Sequence, residues 1–176
     1  MKFRALFFSV LALATSATIG KADPVTGGDI IANGGEVWVT FNGSDAGYDN
    51  LLFYISNPSG TIFEGHVTAP GSSYDLGWFA SGTDLIFGLN NQMGNTWYTG
   101  PASANSDGIA HARVDGSVAG QVSVGFEDLP GGGDLDYNDL QFTVSNAHVP
   151  DNAVTLLLLG GASIGLATFG RRFRRR

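Results

Sequence analysis

Thirteen consecutive residues, Glu127-Asp128-Leu129-Pro130-Gly131-Gly132-Gly133-Asp134-Leu135-Asp136-Tyr137-Asn138-Asp139, carry five carboxylates and one amide with no Lys or Arg among them. Two unit charges ~6 Å apart near a protein surface repel by roughly 3 kcal/mol at an effective dielectric of ~20. Five held together therefore call for a cation. Hard oxygen ligands in this number suit Ca²⁺, which accepts about 6 to 8 oxygens in a flexible geometry, better than Mg²⁺, which demands a stricter octahedron. The glycine run lets the backbone wrap an ion, and the spacing of Asp134, Asp136 and Asn138 sends alternate side chains to one side. The expected metal ligands are Glu127, Asp128, Asp134, Asp136, Asn138 and Asp139. An EF-hand is excluded, because Asp139 stands where that loop needs its glycine and Ser145 where it needs its glutamate. A nine-residue calcium-binding repeat is only partly matched, since Gly131-Gly132 is followed by a single unit that does not recur. The competing reading is a polar turn whose charges point separately into water.

A secondary set of candidate ligands is Asp49, Asn105, Asp107 and His111. Asn105, Asp107 and His111 would serve if they approach the acidic loop; the commoner fate of Asn105-Ser106-Asp107-Gly108 is a turn, with His111 on a strand. Asp45 and Asp49, on either side of Gly47-Tyr48, would add oxygens or form a solvated loop. Trp38, Trp78 and Trp97 offer either a sugar-stacking platform or core packing, with Trp38 placed to face outward. No catalytic residue is assigned. A glycosidase sets two carboxylates apart across its substrate, whereas these acids crowd one loop, and His66 and His148 have no motif around them.

Strands must position this loop. Val37, Val39 and Phe41, then Val122, Val124 and Phe126, then Leu140, Phe142 and Val144 alternate with polar or small neighbours, the period of half-buried strands. Shorter runs at 51–55, 61–67, 74–79, 84–89 and 109–114 bring the count to about eight. Turn signals separate them at Asn57-Pro58-Ser59-Gly60, Pro70-Gly71-Ser72-Ser73, Ser81-Gly82-Thr83, Asp115-Gly116 and Pro130-Gly131-Gly132-Gly133. With 26 glycines in 176 residues and no helical period before Ala153, the expected fold is an all-β, antiparallel β-sandwich, jelly-roll or immunoglobulin-like.

Charge divides the chain into three. The net charge of −7 averages basic ends with a middle, 23–149, that holds fifteen of the sixteen acids and one base, Arg113. No nucleic-acid footprint exists on such a domain, and the absence of cysteine removes disulfides and thiolate zinc sites. Residues 1–22 read as a signal peptide: Lys2 and Arg4, an apolar run over 5–14, then small residues at Gly20 and Ala22. An exported domain is expected over 23–148. Residues 149–176 form a third segment, in which 153–169 is an uncharged apolar stretch at the lower limit for a transmembrane helix, followed by five arginines that favour the cytoplasmic side.

That tail, Val149-Pro150-Asp151 followed by the apolar span and the arginine cluster, resembles the PEP-CTERM sorting signals of exported bacterial proteins, in a Val-Pro-Asp variant. The resemblance implies an exosortase-type sorting enzyme as a partner, with the membrane engaged by the C-terminal helix until processing. Gly125-Phe126-Glu127-Asp128, Gly131-Gly132-Gly133-Asp134 and Asp136-Tyr137-Asn138-Asp139, with upstream Ala46-Gly47-Tyr48, Leu76-Gly77-Trp78-Phe79, Leu85-Ile86-Phe87-Gly88 and Tyr98-Thr99-Gly100-Pro101, resemble the domain-of-unknown-function family DUF4114 over about 36–145. That resemblance implies an extracellular β-rich module that binds calcium. The expectation is a non-catalytic cell-surface or matrix-associated structural or adhesion module with Ca²⁺ as its ligand, in contact with extracellular polysaccharide or surface components. The alternative is a carbohydrate-binding module with a structural calcium, and behind it a hydrolase.

Overall fold

A computed structural model of the chain describes residues 23–55 and 57–150, without the side chains of 57–59. The segment 1–22 expected as a signal peptide, Asp151, and the apolar stretch 153–169 expected as a transmembrane helix, with its arginines, lie outside the described residues. Among those described, no helix is long and apolar enough to cross a membrane.

The chain runs through twelve strands: β1 (Val25–Thr26), β2 (Ile31–Ala32), β3 (Gly35–Gly43), β4 (Leu51–Tyr54), β5 (Asn57–Glu64), β6 (Ser73–Phe79), β7 (Phe87–Asn90), β8 (Thr96–Tyr98), β9 (Ala112–Asp115), β10 (Gln121–Phe126), β11 (Leu140–Ser145) and β12 (Ala147–His148). The only helical pieces among the described residues are 3-10 turns at Ala102–Ala104 and Pro130–Gly132. Six strands make one sheet in the order β1-β9-β10-β11-β3-β6, four make a second in the order β5-β4-β7-β8, and β12 pairs with β2. Every pairing is antiparallel.

Period-two patterning explains the packing. Val37, Val39 and Phe41 of β3, Val122, Val124 and Phe126 of β10, and Leu140, Phe142 and Val144 of β11 are all buried. They meet the second sheet through aromatic rings: Phe87 of β7 lies 5.0 Å from Phe142, Phe63 of β5 lies 5.5 Å from Phe41, and Tyr54 of β4 lies 5.7 Å from Phe79 of β6. Burying both inner faces is what stabilises the stacked pair.

Some boundaries depart from the patterning. Asn57-Pro58-Ser59-Gly60, expected as a turn, begins strand β5. Pro58 is tolerated there because β5 is the sheet's edge, where a missing N–H breaks no inner ladder. The strand expected over 61–67 ends at Glu64, whose carbonyl accepts the Thr68 N–H at 2.8 Å while its own N–H donates to Thr68 Oγ1 at 2.8 Å. The expected run at 84–89 starts pairing as a continuous strand only at Phe87, Asp84 making a single bridge to Ile31. The run expected at 109–114 is strand only from Ala112.

Candidate metal centre

The acidic loop joins β10 to β11, both interior strands, so its two ends are held at ladder distance. Phe126 pairs with Leu140, the Asp139 N–H donates to the Phe126 carbonyl at 3.1 Å, and the Glu127 N–H donates to the His111 carbonyl at 2.9 Å. Between those ends the backbone turns left-handed at Gly131, Gly132, Gly133, Leu135 and Tyr137, with φ of 79°, 83°, 54°, 64° and 62°. Glycine adopts this region freely; Leu135 and Tyr137 do not. Backbone strain of this kind persists only where surrounding contacts over-determine it.

One set of contacts lies on the Glu127 side. Its carboxylate is 1% exposed and accepts the Tyr137 N–H. Carboxylate oxygens of Glu127, Asp134 and Asp136, one from each, lie within 4.8 Å of one another, Glu127 buried and the two aspartates exposed. Burial pushes the Glu127 carboxyl up, and the nearby Asp134 and Asp136 charges add to this while backbone N–H groups of Tyr137 and Leu135 oppose it. Asp136 is oriented by Asn138, whose N–H and Nδ2 donate to its two oxygens at 3.2 and 2.5 Å. Arg113 donates to the Asp136 carbonyl at 3.1 Å and stacks over the Tyr137 ring at 4.8 Å. The domain's one base thus braces the backbone without reaching a carboxylate among the described residues.

Asp128 and Asp139 form a different set. Asp128 is buried, and its Oδ2 accepts Asn50 Nδ2 at 2.8 Å. Its carbonyl accepts both Asn91 Nδ2 and Trp97 Nε1, each at 2.8 Å. Its N–H donates to Asp139 Oδ2 at 2.8 Å. Burial lifts the Asp139 carboxyl to about 6; the Asp128 N–H opposes this, and the charges of Asp128 and Glu127 and a side-chain bond to Asp128 reinforce it. The 44–45 segment closes this side, Ser44 Oγ donating to the Asp139 carbonyl at 2.5 Å and the Asp45 N–H to the Asn138 carbonyl at 3.1 Å.

The six residues expected as metal ligands therefore lie on one loop, where oxygens of Glu127, Asp134 and Asp136 converge, Asp128 and Asp139 meet each other, and the Glu127 charge also reaches Asp139. Of the secondary set, Asp107 and His111 do approach the loop. His111 is fully buried and stacked on Trp97, with ring centroids 3.7 Å apart at 4°. Its Nδ1 lies 3.0 Å from the Glu127 carbonyl and its Nε2 3.0 Å from Asp107 Oδ2, which also accepts the Gly131 N–H at 2.9 Å. Burial pulls the Asp107 carboxyl up, but bonds from Gly131, His111 and Ile109 outweigh it and hold the group at about 2. Asn105 is committed elsewhere, accepting the Tyr98 N–H at 2.7 Å and donating to the Ile109 carbonyl at 2.9 Å. Asp49 accepts the His66 N–H at 3.2 Å and lies against Glu64, whose carboxyl it raises. Val149 packs on the core, Pro150 is half-buried, and Asp151 lies outside the described residues.

Asn50, Asn91 and the Tyr137 amide escaped the reading of the sequence, while Trp97, expected on a sugar platform or in the core, is buried with its Nε1 bonded to the loop. The Asn50 and Asn91 links are long-range, 78 and 37 residues from Asp128. A polar amide heading the apolar run 51–53 was the one local sign. Elsewhere, a cleft lined by Ile55, Ile86, Tyr98 and Pro101 carries Asp29 and Asp84. Its Asp84 carboxyl is raised by burial and by Asp29, yet it shares no residue with the acidic loop.

Residues 73–147 match the model of the family described as Domain of unknown function (DUF4114). The matched span contains the whole acidic loop, Asp107 and His111, while β3 and Asn50 precede it. No curated protein and no solved structure matches the chain.

Proposed function

We propose that this chain is an exported, non-catalytic calcium-binding module with a structural or adhesive role at the cell surface or in an extracellular matrix. The observation that carries the reading is the convergence of Glu127, Asp134 and Asp136 oxygens within 4.8 Å of one another on a strained hairpin loop. Calcium tolerates irregular oxygen cages of this kind, supplemented by carbonyls and water. Under this reading the ion closes the loop, and the cysteine-free fold gains the staple that disulfides supply in other secreted domains. Residues 1–22 direct export, and 149–176 hold the protein in the membrane for an exosortase-type sorting enzyme, in the manner of PEP-CTERM tails. The fold assignment completed by this reading is a jelly-roll or immunoglobulin-like sandwich.

The test is thermal unfolding of the full chain with Ca²⁺ and with chelator. A ligand at a hundredfold excess over its Kd stabilises by about 2.7 kcal/mol, so the melting temperature is expected to rise by several degrees with Ca²⁺. Identical melts in the two conditions would sink the proposal.

A second reading, a carbohydrate-binding module with calcium only structural, has its own observation. Trp38 is 43% exposed and Trp78 is 72% exposed, on adjacent strands β3 and β6 of the larger sheet. Glu36, Asp75, Thr40 and Ser73 share those paired positions. Two exposed indoles on one sheet face with hydroxyls and carboxylates suit an uncharged polyhydroxylated chain, and the strong negative charge of the domain disfavours a polyanion.

A further inference from the structure

The outward face of the six-stranded sheet differs in charge from the rest of the domain. Its middle strands, β10 and β11, carry no charged residue, and opposite their buried side they present Gln121, Ser123, Gln141, Thr143 and Ser145. This uncharged floor lies in a segment, 23–149, with one base against fifteen acids. Register lays a row of hydroxyls across it: Ser123 is opposite Thr143, Thr143 opposite Thr40, and Thr40 opposite Ser73. Side-chain bonds order the row, Asn42 Nδ2 donating to Thr143 Oγ1 at 2.9 Å and the Thr40 and Ser73 hydroxyls lying 3.0 Å apart. Towards β9 the row ends in a cleft of about 210 Å³, whose lining includes Asn42, Arg113, Asp115, Ser123, Tyr137 and Gln141. Arg113 gives one N–H to the Asp136 carbonyl and keeps others, and Asp115 accepts the Ser117 N–H through Oδ1 at 2.8 Å. One cation and one anion leave the cleft without net charge, and the amides and the hydroxyl add both donors and acceptors.

We infer that this cleft is a hydrogen-bonding subsite for one unit of an uncharged polysaccharide, whose chain continues along the hydroxyl row to Trp38 and Trp78. A sugar hydroxyl donates and accepts at once, as this mixed lining requires. An anion would meet the negative field of the domain, and a cation is drawn to the acidic loop instead. The volume is below the ~300 Å³ at which pockets begin to enclose a whole small ligand, so the cleft holds part of a longer one. Asn42 in the cleft and Trp38 are on one strand, four residues and roughly 13 Å apart at ~3.3 Å per residue. No single sugar ring touches both. The inference rests on the carbohydrate reading above, and adds to its two indoles a second contact region and a minimum ligand length.

The experiment is calorimetric titration of the full chain, with Ca²⁺ present throughout, against dextran, mannan, xylan and a soluble β-glucan, with polygalacturonate as the anionic control. The neutral polymer that binds is then compared as its hexasaccharide and its disaccharide, on wild type, Gln141→Ala, Ser123→Phe and Trp38→Ala. The hexasaccharide is expected to bind at least about tenfold more tightly than the disaccharide. Gln141→Ala, which removes a hydrogen-bonding group, and Ser123→Phe, which fills the cleft, are each expected to weaken hexasaccharide binding roughly three- to tenfold. Melting temperatures near wild type would show that these variants fold. Hexasaccharide binding that is lost on Trp38→Ala but unchanged in the two cleft variants would overturn the subsite and leave the aromatic platform standing. Polygalacturonate binding as tight as that of the neutral polymer would overturn the choice of an uncharged ligand. Binding of no neutral polymer would overturn the subsite and the carbohydrate reading together.

Discussion

A β-carbon on Gly125 would collide with the carbonyl oxygen of Tyr137. The acidic loop folds back over the very strand it leaves, and the absence of a side chain at Gly125 lets it lie flat there. That back-fold brings the Tyr137 N–H to the buried Glu127 carboxylate. Gly125→Ala is therefore expected to lift Tyr137, loosen Glu127 and cost about 1–3 kcal/mol, as overpacking does. Circular-dichroism melts should show a loss of several degrees, and calcium titration a weaker affinity. Wild-type behaviour in both would mean that the back-fold does not hold the loop.

Asp107 pins the loop from the other side through Gly131 and His111. Its folded value of about 2 lies below the unfolded one of ~3.9. The sign follows: its contribution is complete above pH ~4 and disappears as pH falls towards 2. Asp107→Asn is expected to be less stable at neutral pH and to have a shallower acid limb in unfolding experiments. If mutant and wild type give parallel curves from pH 7 to pH 2, Asp107 is a surface turn residue and nothing more.

Much of the scaffold could be read from alternation, because Val37 to Phe41, Val122 to Phe126 and Leu140 to Val144 bury one side of each strand. The loop's chemistry was equally plain, since five acids in thirteen residues are a local fact. Which group each acid meets was hidden. Glu127 and Asp128 are neighbours with different partners, and what each meets, the Tyr137 amide or Asn50, is decided by sheet stacking and by left-handed residues at Leu135 and Tyr137. Pro58 misled for a related reason: a proline's meaning depends on whether its strand is an edge, which no local pattern encodes.

Asp139 predicts an opposite pH trend. Its folded value of about 6 exceeds the unfolded ~3.9, so in chelator its contribution is fully present below pH ~4 and is lost as pH rises through 6. The Glu127 carboxyl, also raised, acts with the same sign. Calcium should reverse this, because ligands must be deprotonated to bind it. Stability is thus expected to fall from pH 4 to 7 in chelator, and the gain on adding Ca²⁺ to grow over the same interval. Asp139→Asn should flatten the chelated profile. A chelated profile that climbs towards pH 7 would contradict the assignment.

Trp78 reaches the outer face through a defect in strand β6. Glu36 pairs with Trp78 and Val37 with Gly77, but Trp38 pairs with Asp75, so the register slips between them. Gly77, at φ 93°, absorbs the slip. A bulge of this kind changes which face the following side chain takes, and here it sets Trp78 on the same face as Trp38. The core gains nothing from an indole left 72% exposed. If the pair is a sugar platform, the full chain should bind neutral polysaccharide, and Trp38→Ala and Trp78→Ala should each weaken that binding at least tenfold. Because both rings are outside the core, the melting temperature and calcium uptake of these variants should stay near wild type, surface changes being worth about ±0.5 kcal/mol. Should glycan binding be absent, or survive removal of both rings, the aromatic face has another use and the calcium reading stands alone.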